Sequence, residues 1–121
     1  MNNPGMDDGG LSGGVAIVTG GSRGIGRAIV LILARAGMEV VFTYRENAAA
    51  ADEVIAAAQS DRVTARCVDV RDAAACAALV EQVVERSGRI DLLVNNAGVI
   101  RDNLLALLDR KSTRLNSSHR I

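Results

Sequence analysis

The residues best suited to chemistry are Gly20-Gly21-Ser22-Arg23-Gly24-Ile25-Gly26, set between a short apolar run and an amphipathic stretch. Glycines at such a junction allow positive φ in a tight turn and leave no Cβ to obstruct an approaching pyrophosphate. The amides of Ile25 and Gly26, backed by a helix dipole, would then face the phosphates. Gly20, Ser22, Arg23, Gly24, Ile25 and Gly26 are therefore the candidate contacts of the turn. A purely structural turn is the competing reading, and the strand-to-helix position of these glycines favours binding. A nucleoside-triphosphate loop is excluded. The frame Gly21-x-x-x-x-Gly26 runs on into Arg27-Ala28, so no lysine is placed for β/γ-phosphates.

A second group of residues decides which dinucleotide suits the turn. An NAD site places an acid about twenty residues beyond the glycines, where it holds the ribose 2′-hydroxyl. Here the corresponding strand ends in Thr43-Tyr44-Arg45. No carboxylate repels a 2′-phosphate, and Arg45 with Arg23 could form a cationic clamp, which makes NADP(H) the expected cofactor. The bland alternative is two solvated surface arginines.

Other chemistries are limited by supply. Of fourteen cationic residues only Lys111 is a lysine, and Tyr44, Phe42 and His119 are single copies in a chain without Trp. The two cysteines, Cys67 and Cys76, form no C-x-x-C pair and read as reduced, mostly buried thiols. No stretch approaches the eighteen or so apolar residues of a membrane span, and residues 1–10 lack the pattern of a signal peptide. A cytoplasmic setting with no membrane partner is the expectation, and zero net charge argues against nucleic acid.

These residues need elements to position them, and 121 residues suffice for one small domain. Val15-Ala16-Ile17-Val18 is an apolar run of the kind found in strands buried on both faces. Gly24–Ala36 follows as a helix, with Ile25, Ile29, Ile32, Leu33 and Ala36 at helical spacing and Gly37 as its stop. Glu39–Thr43 is a second strand, a helix runs from about Ala48 to Gln59 on Ala51, Val54, Ile55 and Ala58, and Arg62–Val68 is a third strand. Asp72 caps a helix lined by Cys76, Leu79, Val80, Val83 and Val84 and closed by Gly88. Ile90–Val94 is the fourth strand, ending at Asn95-Asn96-Ala97-Gly98. The resulting βαβαβαβ order predicts an α/β fold, a doubly wound parallel sheet.

Taken together, Thr19-Gly20-x-x-x-Gly24-x-Gly26, Asp69-Val70 and Asn95-Asn96-Ala97-Gly98 resemble the short-chain dehydrogenase/reductase family across about residues 13–108. Within it, Val99-Ile100-Arg101-Asp102-Asn103-Leu104-Leu105 is similar to the 3-oxoacyl-acyl-carrier-protein reductases and acetoacetyl-CoA reductases. The resemblance implies an incomplete Rossmann-type sheet in which Asp69 and Val70 contact an adenine and Asn95 braces the central strands. Asn96, Ala97 and Gly98 would pass close to the cofactor. Without that context Asp69 could simply cap a loop and Asn95-Asn96 form an ordinary turn.

By resemblance the whole protein would reduce a 3-oxoacyl thioester, carried on acyl carrier protein or coenzyme A, with NADPH. It would be a homo-oligomer. Family members run to about twice this length and carry a catalytic Ser and Tyr-x-x-x-Lys in the second half. Here Tyr44 is followed four residues on by Ala48, and Leu107 rather than a tyrosine stands four residues before Lys111, so this chain holds no catalytic residues and is expected to be inactive. A non-catalytic nucleotide-binding module and a family reductase for another alcohol or ketone are the alternatives.

The ends differ from the middle. Residues 1–12 read as a disordered leader. After Leu108 the family pattern stops, and residues 109–119 resemble the translation of a DNA-sequencing adapter and match no helix or strand logic. Residues 1–108 hold ten Arg and thirteen acids, net −3, whereas residues 109–121 hold four cations against Asp109, net +3, so the overall zero is a sum of unlike parts. Ending after the fourth strand would leave an apolar edge with unpaired amides, which predicts poor solubility.

Overall fold

The computed structural model describes residues 12–96 and the backbone of residues 119–120. Among them the order is β1 (Val15–Thr19), α1 (Gly24–Arg35), β2 (Glu39–Tyr44), α2 (Ala48–Ala58), β3 (Val63–Cys67), α3 (Ala73–Ser87), β4 (Leu92–Asn95) and β5 (His119–Arg120). The sheet order is β3-β2-β1-β4-β5 and every pairing is parallel. The chain winds outward from β1 to β3, then returns past β1 to form β4. The border between β1 and β4 is therefore the point where winding reverses, the place where open α/β sheets bind ligands.

Alternation along the strands builds two cores. Ala16 and Val18 of β1 face Val40 and Phe42 of β2, with Val30 and Leu33 of α1 and Ala51 and Val54 of α2 packed over them. Val15 and Ile17 point the other way, to Cys76, Leu79, Val80 and Val83 of α3. Every residue of β1 is buried, as its unbroken apolar run requires. Local signals set the helix ends. Asp72 accepts the amides of Ala74 and Ala75, Asn47 accepts that of Ala50, and Gly88 closes α3 at φ 80°.

Three expectations are corrected. In α1 the buried stripe is Gly26, Val30 and Leu33, while Ile25 and Ile32 are 73% and 63% exposed. This helix is apolar nearly all round, and the close approach at Gly26 selects its inner face. Cys67 is exposed, because β3 is the outer strand; only Cys76 is buried. Finally, His119–Arg120 does form a strand, paired with Leu92 and Leu93, so those positions of β4 are not an open edge. Backbone pairing is indifferent to side chains, so the polar sequence gave no sign of it.

Just before β4, Asp91 is tied to the first residue of β1 by both its side chain and its backbone. Its carboxylate accepts the Val15 amide at 2.8 Å, and its own amide donates to the Val15 carbonyl at 2.8 Å. Ile90, placed in the strand by the sequence pattern, precedes it but is fully buried. Among the described residues no helix is long and apolar enough to cross a membrane.

Candidate functional site

The turn after β1 is held in place by bonds from two other strands. Thr43, buried at the end of β2, accepts the Gly20 amide on its hydroxyl at 3.1 Å and the Gly21 amide on its carbonyl at 3.0 Å. From the far side of β1, the Asn96 side-chain amide donates to the Gly20 carbonyl at 3.0 Å. Below it, the Thr19 hydroxyl bonds Asn95 Oδ1 at 3.1 Å, joining β1 to β4. Gly20 itself sits at φ 68°, where a side chain would be strained.

The missing Cβ of Gly26 serves protein packing. A Cβ there would overlap the Gly20 carbonyl oxygen and lie 2.6 Å from Asn96 Nδ2. Only glycine lets α1 start this close to the strand end. Arg23 is the N-cap residue, is extended at φ −159°, and makes no side-chain cap bond. The amides of Ile25 and Gly26 belong to the first helical turn, which has no preceding carbonyls to accept them. An anion placed there would meet both the amides and the helix dipole.

Beside the turn, at the C-terminal ends of β1, β2 and β3, lies a cleft of about 210 Å³ lined by Gly20, Thr43, Tyr44, Arg45, Val68, Asp69, Val70 and Arg71. Its far wall is anchored at several points. The Val68 amide donates to the Tyr44 carbonyl at 3.0 Å, the Asp72 amide to the Asp69 carbonyl at 2.9 Å, and the Cys76 thiol to the Val70 carbonyl at 3.3 Å. Burial raises the Cys76 thiol above its ordinary pKa, with the carboxylates of Asp72 and Asp69 adding to the effect.

Asp69 is the acidic group of this cleft. Arg71 grips it with Nε to Oδ1 at 3.1 Å, Nη2 to Oδ2 at 3.0 Å and its own backbone amide to Oδ1 at 2.9 Å. The Arg71 side-chain bond, ahead of its backbone bond, holds the Asp69 carboxyl down at about 2, and the same contact raises the Arg71 guanidinium. Arg45 stands further off, with Nε 3.9 Å from Asp69 Oδ2.

Of the residues expected from sequence, Gly20, Tyr44, Arg45, Asp69 and Val70 meet in the cleft. Ser22, Arg23, Gly24, Ile25 and Gly26 form the turn and first helical residues next to it, and Arg23 is not part of the cleft lining. Asn96 braces the turn through Gly20. Ala97 and Gly98 lie outside the described residues. The reading missed Thr43, Val68 and Arg71. An arginine two positions after an acid was the available signal for Arg71; nothing local marks Thr43.

A parallel sheet with a glycine turn at its first strand end, beside the winding reversal, and a cleft over the ends of β1, β2 and β3 define a dinucleotide-type fold. The family model described as short chain dehydrogenase matches residues 14–116, which carries past Leu108. The chain belongs to the short chain dehydrogenase family, a family of oxidoreductases. It is 44% identical over 97 residues to the 3-oxoacyl-(acyl-carrier-protein) reductase of Synechocystis, which covers 78% of this chain and 39% of that one. A short-chain dehydrogenase/reductase from Serratia marcescens superposes with a TM-score of 0.74 at 37% identity, over 86% of this chain and 51% of that structure. The 3-ketoacyl-(acyl-carrier-protein) reductase of Brucella melitensis, solved with NADH, gives 0.67 at 26% identity over 86% and 50%. The chain thus spans between a third and about half of the length of these relatives.

Proposed function

We propose that this chain is the nucleotide-binding part of an NADPH-dependent carbonyl reductase acting on a 3-oxoacyl thioester. The observation that carries the cofactor half of this reading is the cleft itself. At the end of β2 it presents Tyr44 and Arg45 and no carboxylate, and the acid it does contain, Asp69, comes from the end of β3 and is already held by Arg71. A 2′-phosphate would meet a cation at Arg45 where an acid would have repelled it. Asp69 retains acceptor capacity for an amino group of a base, while Val68 and Val70 offer an apolar wall.

The pyrophosphate would lie across the amides of Ile25 and Gly26, with Ser22 and Arg23 beside it and Asn96 keeping the Gly20 turn in place. Ala97 and Gly98 are proposed to follow along the cofactor. When bound, the nicotinamide would supply hydride, while the turn and the cleft would hold the phosphates and the adenosine end of the nucleotide. The thioester substrate, on acyl carrier protein or coenzyme A, is proposed from the similarity to the Synechocystis and Brucella reductases. A homo-oligomeric, cytoplasmic protein fits the same similarity.

Equilibrium binding of NADPH and NADH to this chain at low salt tests the cofactor reading. NADPH is expected to bind at least about tenfold more tightly, the size of one charge-assisted contact. Equal affinities would overturn it.

A further inference from the structure

The cleft holds two arginines and one carboxylate, and their distances are unequal. Arg71 fills three of the roughly four acceptor positions that a carboxylate offers, at 2.9, 3.0 and 3.1 Å. Arg45, at 3.9 Å from the same carboxylate, is outside hydrogen-bond range and its side chain is 59% exposed. Asp69 is thus mostly occupied by one neighbour, keeps about one acceptor position, and only loosely attracts the other arginine.

We infer that Arg71 is a specificity-determining positioning residue, which by occupying Asp69 leaves Arg45 available to a 2′-phosphate. The inference rests on the NADP(H) reading above and adds a residue to it. Without Arg71 the vacated carboxylate would face Arg45, the other arginine of the cleft, and the two would close into an ion pair. The group of three, net +1, would become a neutral pair, and an incoming phosphate would have to displace a carboxylate to reach its cation. Arg71 itself does not have to touch the nucleotide.

The test compares adenosine 2′,5′-bisphosphate with adenosine 5′-monophosphate as probes, titrated against the full chain by calorimetry at low ionic strength. Both carry the same base, so contacts to adenine cancel in the ratio of affinities. The unaltered chain is expected to prefer the bisphosphate by about tenfold. Arg71→Ala should cut that preference by about threefold, the size of an exposed ion pair competing for Arg45. Adding Asp69→Asn to Arg71→Ala removes the competitor and should restore the preference, although both probes bind more weakly. A merely structural Arg71 would weaken both probes alike and leave the ratio unchanged, which overturns the inference. A reduced ratio that Asp69→Asn fails to restore means that Arg71 meets the phosphate directly, and that also overturns it. No preference in the unaltered chain would instead defeat the NADP(H) reading, and the inference with it.

Discussion

Asn96 and Gly20, separated by 76 residues, are joined by a 3.0 Å bond from the Asn96 side-chain amide to the Gly20 carbonyl. That bond ties the end of β4 to the first residue of the glycine turn, across the point where the sheet reverses its winding. Asn96→Ala is expected to cost about 0.5–1 kcal/mol of stability, since the freed carbonyl is near solvent and water replaces the lost donor. Nucleotide affinity should fall further than that small loss suggests, because the turn is left with Thr43 as its brace. Urea unfolding alongside a titration with adenosine 2′,5′-bisphosphate separates the two effects. Equal affinity in both chains would show that the brace does not matter to the turn.

Gly26 and Gly24 should respond differently to alanine. At Gly26 the new methyl collides with the Gly20 carbonyl and the Asn96 amide, both held by the sheet. Gly26→Ala is expected to cost about 2–3 kcal/mol and to shift α1 away from the turn, abolishing nucleotide binding. At Gly24 nothing lies within 4 Å of an added Cβ, and the cost arises from φ 62° alone. Gly24→Ala should therefore cost about 1 kcal/mol. Thermal melts of the two variants check the order, and a Gly24→Ala variant less stable than Gly26→Ala would refute it.

The contrast between those two glycines also shows where the sequence is readable. The turn, the Asp72 cap and the Gly88 stop are local features in which residue type and position within a few residues determine the bond, and they were legible. The inner face of α1 was not. Its apolar residues mark two stripes, and the choice falls to Gly26 only because Gly20 and Asn96 crowd that side. Thr43 escaped for a related reason. Its hydroxyl serves the Gly20 amide 23 residues away, a bond that exists only once β1 and β2 lie side by side. Arg45 and Asp69 could each be proposed from the strand ends, but the unequal sharing of Asp69 rests on distances of 3.9 Å to Arg45 and 3.0 Å to Arg71, which only the folded chain sets. Ladder pairing by β5 carries no side-chain signature at all.

Asp91 supplies a stability prediction remote from the cleft. Its carboxylate, 15% exposed, accepts the Val15 amide and is held in turn by Arg89 at 2.9 and 2.6 Å. Asp91→Ala leaves the Val15 amide without that acceptor at the entry to the central strand. The expected loss is about 1–2 kcal/mol, more than for a surface ion pair, because a sheltered donor is stranded. Asp91→Asn keeps an acceptor oxygen and should lose less than the alanine variant. Nucleotide binding should be unaffected in Asp91→Asn, since the site lies at the opposite ends of the strands. The ranking is checked by urea unfolding, and equal losses in the two variants would contradict the role given to the carboxylate.

Acid should weaken the cleft through Asp69. Its carboxyl titrates at about 2 in the fold against an ordinary value of 3.8, because the ionised form accepts three bonds from Arg71. A depressed carboxyl stabilises the fold while it is ionised. The contribution is therefore fully present above about pH 4, declines between pH 4 and 2, and is gone below that. Asp69→Asn removes this titration, so the stability gap between the unaltered chain and the variant should narrow as pH falls through that window. The gap should also shrink in high salt, because the pair is exposed. Urea midpoints of both chains at several pH values from 6 to 2 measure it. A gap that stays constant or widens on acidification would mean that Arg71 does not hold the ionised carboxylate in solution, and the mechanism by which Arg45 is kept for phosphate would lose its basis.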